Sequence, residues 1–270
     1  MLELDLVRRD RIIPQPIPAL PPFIDHLPAA TREAVGFVGN VYQEQLPMRG
    51  RVVDPLTRNV VAAWMKGSAP SLWDALAQGI AGLSIFERWC TSLSRDQTFF
   101  WGMAHRFILY EAQTTTRLAA LGAAGQSVAC IGNLDAGAPG VPANLVASQG
   151  RVGFRDGLAE ALTRTAVTLD VLNPGLIAGY SHKPVQGFAA GGFVLMNQVP
   201  GWIESFGQAG AAASWTDHAD LATKLDRYLT RPALRQEITA EIRAEIRARH
   251  QLHHTLTRVL AEAAAMISAR

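Results

Sequence analysis

The pattern of apolar and polar positions changes character twice along the chain. From Ala34 to Asn40 a short apolar run, AVGFVGN, ends in Gly-Asn and predicts a buried strand and turn. From about Pro55 to Ala124 the spacing becomes helical, through NVVAAWMKG, SLWDALAQGIAGLSIFERWCTSL and RDQTFFWGMAHRFILYEAQTTTRLAALGAAG, with Leu72, Leu76, Ile80 and Leu83 on one face. Ser94 with Gln97 predicts a helix start, and Gly125 a stop. Beyond Gly125, short apolar runs alternate with amphipathic ones. SVACIGN (127–133), GRVGF (150–154), AVTLDVL (166–172), GFVLMN (192–197) and AAASW (211–215) predict strands. RDGLAEALTRT, KPVQGFAAG, PGWIESFG and DHADLATKLDRYLT predict helices, with Asp217 able to cap the last. A long helical tail runs from Pro232 to the end, with Leu234, Ile238, Ile242 and Ile246 on one stripe.

Strands alternating with helices predict an α/β fold. The sheet is parallel, joined by right-handed crossovers and covered by helices on both faces. Ligands in such sheets sit at the carboxyl ends of the strands, here the loops after Gly39, Ile131, Phe154, Leu172 and Met196. Residues 1–33 stand apart: in IIPQPIPALPPFIDHLP six prolines fall within fifteen residues, which predicts a proline-rich linker or tether. The expected organisation is therefore a linker over 1–33 and one domain over 34–270, with a helical insertion at about 55–124.

Composition narrows the classes. At 49% hydrophobic and 18% charged residues the chain is long enough and apolar enough to bury a sizeable core. A formal net charge of +2 gives no argument for nucleic acid or an acidic membrane surface. No apolar run reaches the roughly 18 residues of a membrane span, and the N-terminus does not read as a secretory signal. Cys90 and Cys130 read as buried free thiols of a reducing cytoplasm. His250, His253 and His254 have a spacing open to a metal, but they lie in an amphipathic helix with no Cys ligand nearby, so no metal site is expected. There is no G-x-G-x-x-G, P-loop or G-x-S-x-G motif, so nicotinamide and hydrolase sites are not expected. Glu204 reads as solvated. Trp73, Phe86, Trp89, Phe99, Phe100 and Trp101 make the helical segment unusually aromatic, readable as a core or as an exposed partner surface.

The stretch most open to chemistry is GYSHKPVQGFAAGGFVLMN, from Gly179 to Asn197. A Gly-bearing loop running into a helix start presents unpaired backbone N–H groups, and the helix dipole adds positive potential there. His182 and Lys183 sit at that start, and Pro184 suits a first helical turn. A cation at a helix N-terminus is unfavourable unless an anion lies beside it, and a diphosphate fits that requirement. The competing reading is a surface Lys183, with Gly187, Gly191 and Gly192 serving only close helix–strand packing.

From Ala34 onward the chain resembles the nucleotide-binding half of group 1 glycosyltransferases of the GT-B architecture, particularly the CgeB-like branch. The resemblance rests on VGFVGNVY, TRLAALGAAGQSVACIGN, GRVGFRDGLAEALTRTAVTLDVL, HKPVQGFAAGGFVLMN and DLATKLDRYLTRPALRQEITAEIRAEIRARHQLHHTLTRVL, in the family's order. The fourth corresponds to the family's R-x-x-E-x-x-A-x-G-G-F stretch. The resemblance implies a Rossmann-like domain that binds a nucleotide-sugar and transfers the sugar to an unidentified acceptor, as a metal-independent hexosyltransferase that leans to retention and uses no cofactor. It places Lys183 at the family's basic position and Gln186 at its acidic one, with His182 touching sugar or phosphate. Gln186 supplies no carboxylate, and Lys183 keeps the charge without bidentate geometry. Asn40, Gly132, Asn133, Phe154, Arg155, Asn173, Gly179, Tyr180, Ser181, Gly187 and Gly191 would line the donor cleft. Arg117 matches an arginine that in relatives follows the first strand. An N-terminal acceptor domain of the GT-B kind is expected from a longer gene product or a partner chain, and a homo-oligomer is a further reading of the helical segment. The reading from another class is a non-catalytic binding or assembly module that uses the aromatic helices of 55–124.

Overall fold

The computed structural model describes residues 17–28, 31, 33–41, 53–68, 72, 74, 75, 78, 97–134, 140–154, 157–174 and 179–268, with backbone alone at 53–58, 97–108, 110 and 148. The expectations resting on Ser94, Leu76, Ile80, Leu83, Cys90, Arg155 and the aromatic side chains between 73 and 101 fall outside the described residues. The chain divides into two compact units: residues 1–38, 152–170 and 178–270, and residues 39–151 and 171–177. The protein is α/β, and each strand pairing described is parallel, as the alternation predicted.

The first unit contains β1 (Glu33–Val38), β4 (Thr165–Asp170), β5 (Val194–Asn197) and β6 (Ser214–Trp215). They pair in that order, with Val35 opposite Val167, Leu169 opposite Leu195 and Asn197 opposite Trp215. Val35, Phe37, Val167, Leu169, Val194, Leu195 and Met196 are all buried, which is why these strands read as continuous apolar runs rather than alternating ones. Helices connect and flank them: α1 (Pro21–Ile24), α4 (Leu158–Thr163), α5 (His182–Ala189), α6 (Pro200–Ala212) and α7 (His218–Thr230). Asp217 caps α7 by accepting a 2.8 Å hydrogen bond from the Asp220 N–H, as its position predicted. The tail is two helices, α8 (Pro232–Arg249) and α9 (Leu252–Ser268). They break at His250–Gln251 because the backbone there turns aside: the Ala19 N–H donates to the His250 carbonyl at 2.6 Å, and the Leu252 N–H to the Ala19 carbonyl at 3.2 Å.

The second unit holds β2 (Val128–Ile131) beside β3 (Leu145–Gln149), with α2 (Val53–Met65) packed against α3 (Gln97–Ala123). Val60, Val61, Leu72, Ala75 and Ala112 form its helical core, with Trp64 and Leu109 against them. Gly125, at φ +64°, terminates α3 as expected. The strand expected at 150–154 is displaced: β3 lies at 145–149, and within 150–154 only Gly153 makes a bridge, to Gly157. Gly150 and Gly153 weaken that stretch as strand. Asn144 instead fixes the start of β3, its Nδ2 donating to the carbonyls of Leu121 (2.9 Å) and Gln126 (2.8 Å). Cys130 is a buried free thiol, pushed up to about 11 by desolvation, and therefore inert as a nucleophile.

Helix α5 and the turn after it lie so close to β5 and α4 that only glycine fits at two points. A Cβ on Gly187 would stand 2.5 Å from Val194 Cγ2, and one on Gly192 would stand 2.3 Å from the Leu162 carbonyl oxygen. A backbone oxygen cannot move aside as a side-chain end can. Gly192→Ala is therefore expected to cost about 1–3 kcal/mol, measured by urea unfolding. Gly179→Ala, where the added atom meets nothing within 4 Å, should leave the midpoint where it was. Equal midpoints for the two variants would refute this packing account.

Candidate functional site at the carboxyl ends of β1 and β4

Strand β4 ends in a carboxylate. Asp170 is 2% exposed, which would be costly without a counter-charge. The N-terminus of α5 supplies one: Lys183 Nζ pairs with Asp170 Oδ1, and Ser181 Oγ donates to Asp170 Oδ2 at 2.8 Å. Lys183 Nζ also donates to the Val38 carbonyl at 3.1 Å and lies 5.4 Å from the centroid of the Phe37 ring. One ammonium thus ties the ends of β1 and β4 to the start of α5. Ser181 occupies the N-cap with extended backbone, yet its hydroxyl makes no cap bond, because Asp170 takes it. The anion that a cation at a helix start demands is, in the first instance, part of the chain itself.

His182 heads α5 on the open side. Its ring meets the half-exposed Phe154 ring edge-on, with centroids 5.1 Å apart. Its pKa lies below the ordinary histidine value, chiefly through desolvation and secondarily through the Lys183 ammonium, while Asp170 pulls the other way. The imidazole is therefore neutral at neutral pH and takes a proton only on acidification below the usual range.

The other expected site residues divide into groups. Tyr180 is buried, its hydroxyl 3.1 Å from Ser205 Oγ and its ring edge-on to Trp202, so it packs toward α6. Gln186 is 1% exposed, and both ends of its amide are taken: Nε2 donates to the Pro18 carbonyl at 2.9 Å, and Oε1 accepts from the Leu20 N–H at 3.1 Å. Gly187 serves packing, and Gly191, at φ +90°, faces Pro28. Gly179 is exposed in open space, which neither packing nor a positive φ explains. In the second unit Asn40, Gly132 and Asn133 come together: the Asn133 N–H donates to Asn40 Oδ1 at 3.3 Å, and a Cβ on Gly132 would stand 2.0 Å from the Gly39 oxygen. Arg117 joins them, its Nη1 donating to the Asn40 carbonyl at 3.1 Å. Asn173 is half-buried in that unit.

Asp170 is the residue that reading the sequence missed. Its signal was present: an acid closing the apolar run TAVTLD is worth a question, since a strand buried on both faces tolerates a carboxylate only beside a partner. Among the described residues no group of three or more His, Cys, Asp or Glu is placed to hold a metal ion, and no helix is long and apolar enough to cross a membrane.

Fold and site together define a parallel α/β protein whose helix start, bearing Ser181, His182 and Lys183, closes on the strand carboxyl ends. The Glycosyl transferase-like family matches residues 106–261, more than half of the chain, and the chain belongs to that family. No curated protein matches it.

Proposed function

We propose that the chain is a glycosyltransferase of hexosyl type, of the CgeB-like branch, that takes its sugar from a nucleotide-sugar donor without a metal ion. The observation that supports this most directly is the placement of Ser181, His182 and Lys183 at the N-terminus of α5, over the carboxyl ends of β1 and β4, in a member of this family. The helix start and the Lys183 ammonium would neutralise the donor diphosphate, and the neutral His182 imidazole would offer a hydrogen bond to sugar or phosphate. Phe154, exposed beside His182, would give a flat face to a ring of the donor. Asp170 would share Lys183 with the phosphate and hold the ammonium in place when no donor is bound.

Isothermal titration against UDP-, GDP- and ADP-linked sugars tests this reading. One of them should bind, and Lys183→Ala should weaken that binding by about tenfold to a hundredfold, the worth of a charge-assisted hydrogen bond. Circular dichroism checks that the variant stays folded. Failure of every nucleotide to bind sinks the donor site, and binding that survives Lys183→Ala moves it elsewhere. The second reading, a non-catalytic binding module, gains support from Gln186, whose amide is bound to the chain's own backbone. Silence in the titration would select it.

A further inference from the structure

The proline-bearing segment 17–28 was expected to be a tether, yet it is held at closely spaced points along the first unit. Ala19 is completely buried, and its N–H and carbonyl bond to the His250 carbonyl (2.6 Å) and the Leu252 N–H (3.2 Å). On either side of it, the Pro18 carbonyl and Leu20 N–H bond to the two ends of the Gln186 amide (2.9 and 3.1 Å). The backbone at Leu20 is extended, with φ −95° and ψ 148°. Both edges of a short extended stretch are thus satisfied, one by main chain and one by a single buried side chain. Further along, Phe23 is 2% exposed against Phe154, with ring centroids 5.4 Å apart, and the Ile24 carbonyl accepts from Arg243 Nη2 at 3.3 Å. His26 Nε2 lies 3.3 Å from Thr163 Oγ1.

We infer that this surface of the first unit is a peptide-docking slot for a proline-bearing segment, extended at Leu20 and then turned into the short helix α1, filled in this chain by its own residues 17–28. The recognition chemistry is that of a peptide ligand. Main-chain groups supply the directional bonds, a small residue enters a closed site at Ala19, and an aromatic plug four residues on occupies a second site at Phe23. Proline suits such a ligand because it lacks an N–H and its φ is already fixed, both for the stretch before α1 and for the first turn of α1 itself, so little entropy is lost on docking. The slot also demands an occupant. Without one, the Gln186 amide and the His250 carbonyl lose the partners that now hold them in place. The contact runs on to the candidate site, since Phe154 touches Phe23 on one side and His182 on the other. The inference rests on these contacts and not on the glycosyltransferase reading.

The test uses the full chain with a specific protease site inserted between Ala29 and Ala30. After cleavage at about 10 µM protein, the N-terminal fragment should co-elute with the remainder on gel filtration. Excess synthetic peptide of residues 15–28 should displace it, and the same peptide with Ala19→Trp, too large for the closed site, should not. In a second variant, Gln186→Leu, the cleaved fragment should be lost more readily. Release of the fragment with the remainder still folded by circular dichroism overturns the inference, because the slot then has no affinity of its own. Unfolding of the remainder on cleavage or on peptide exchange overturns it too, because the segment is then part of the core. So does retention that neither the peptide nor Gln186→Leu weakens.

Discussion

Asp170→Ala should lower the free energy of unfolding by about 3–5 kcal/mol, the range for breaking a buried ion pair from one side. The carboxylate is 2% exposed and the Lys183 side chain 16%, so the stranded ammonium recovers little solvation. It would keep the Val38 carbonyl and the Phe37 ring face but no anion, and Ser181 would lose its acceptor. The Asp170→Leu, Lys183→Met double variant removes both charges and should regain most of that loss, since apolar replacements of a buried pair are often close to neutral. Urea unfolding of the single and double variants gives the coupling energy directly. If the double variant is no more stable than Asp170→Ala, the pair does not anchor α5. The same single variant bears on ligand chemistry: with its internal anion gone, Lys183 should accept an added diphosphate, which would raise the unfolding midpoint of Asp170→Ala more than that of the parent protein.

The second large effect lies at Trp202. Its side chain is fully buried, stacked with Phe188 (5.9 Å), close to Phe206 (4.3 Å) and edge-on to Tyr180 (5.2 Å). Its indole Nε1 donates to the Gly210 carbonyl at 3.0 Å, bracing α6 across the non-helical turn at Gly207, where φ is 52° and ψ −130°. Trp202→Ala should cost about 3–5 kcal/mol through lost transfer energy and the cavity left behind. Trp202→Phe keeps much of the ring volume and loses the hydrogen bond, so about 1–2 kcal/mol is expected. Chemical denaturation separates the two variants. Equal losses would mean that the bond to Gly210 outweighs the aromatic packing, contrary to this account.

Much of the fold could be read from local pattern because its cause is local. Glu33–Val38, Thr165–Asp170 and Val194–Asn197 are largely buried strands, and a parallel strand covered on both faces is apolar except where a polar group finds a partner. Asp217 caps α7, and Gly125 ends α3, by rules that act within a turn of helix. The misplaced strand at 150–154 shows the limit of such reading. Leu145–Gln149 pairs there because Asn144 is held by two carbonyls that precede it in sequence, the more distant by 23 residues.

The site divides along the same line. That Ser181, His182 and Lys183 stand at a helix start follows from residue types and spacing, and the family membership follows from the order of segments. Neither the Asp170 partner of Lys183 nor the Pro18 and Leu20 partners of Gln186 could be read that way. The Gln186 contacts are made 166 and 168 residues away in the chain. By itself the sequence determined most of the strands and helices, β3 excepted, and where a cation meets a helix terminus, since propensity, period and capping act over a few residues. Tertiary structure alone decided which charge answers that cation and that a proline-bearing segment is docked rather than free. Both depend on a buried polar group finding its partner wherever the fold brings one.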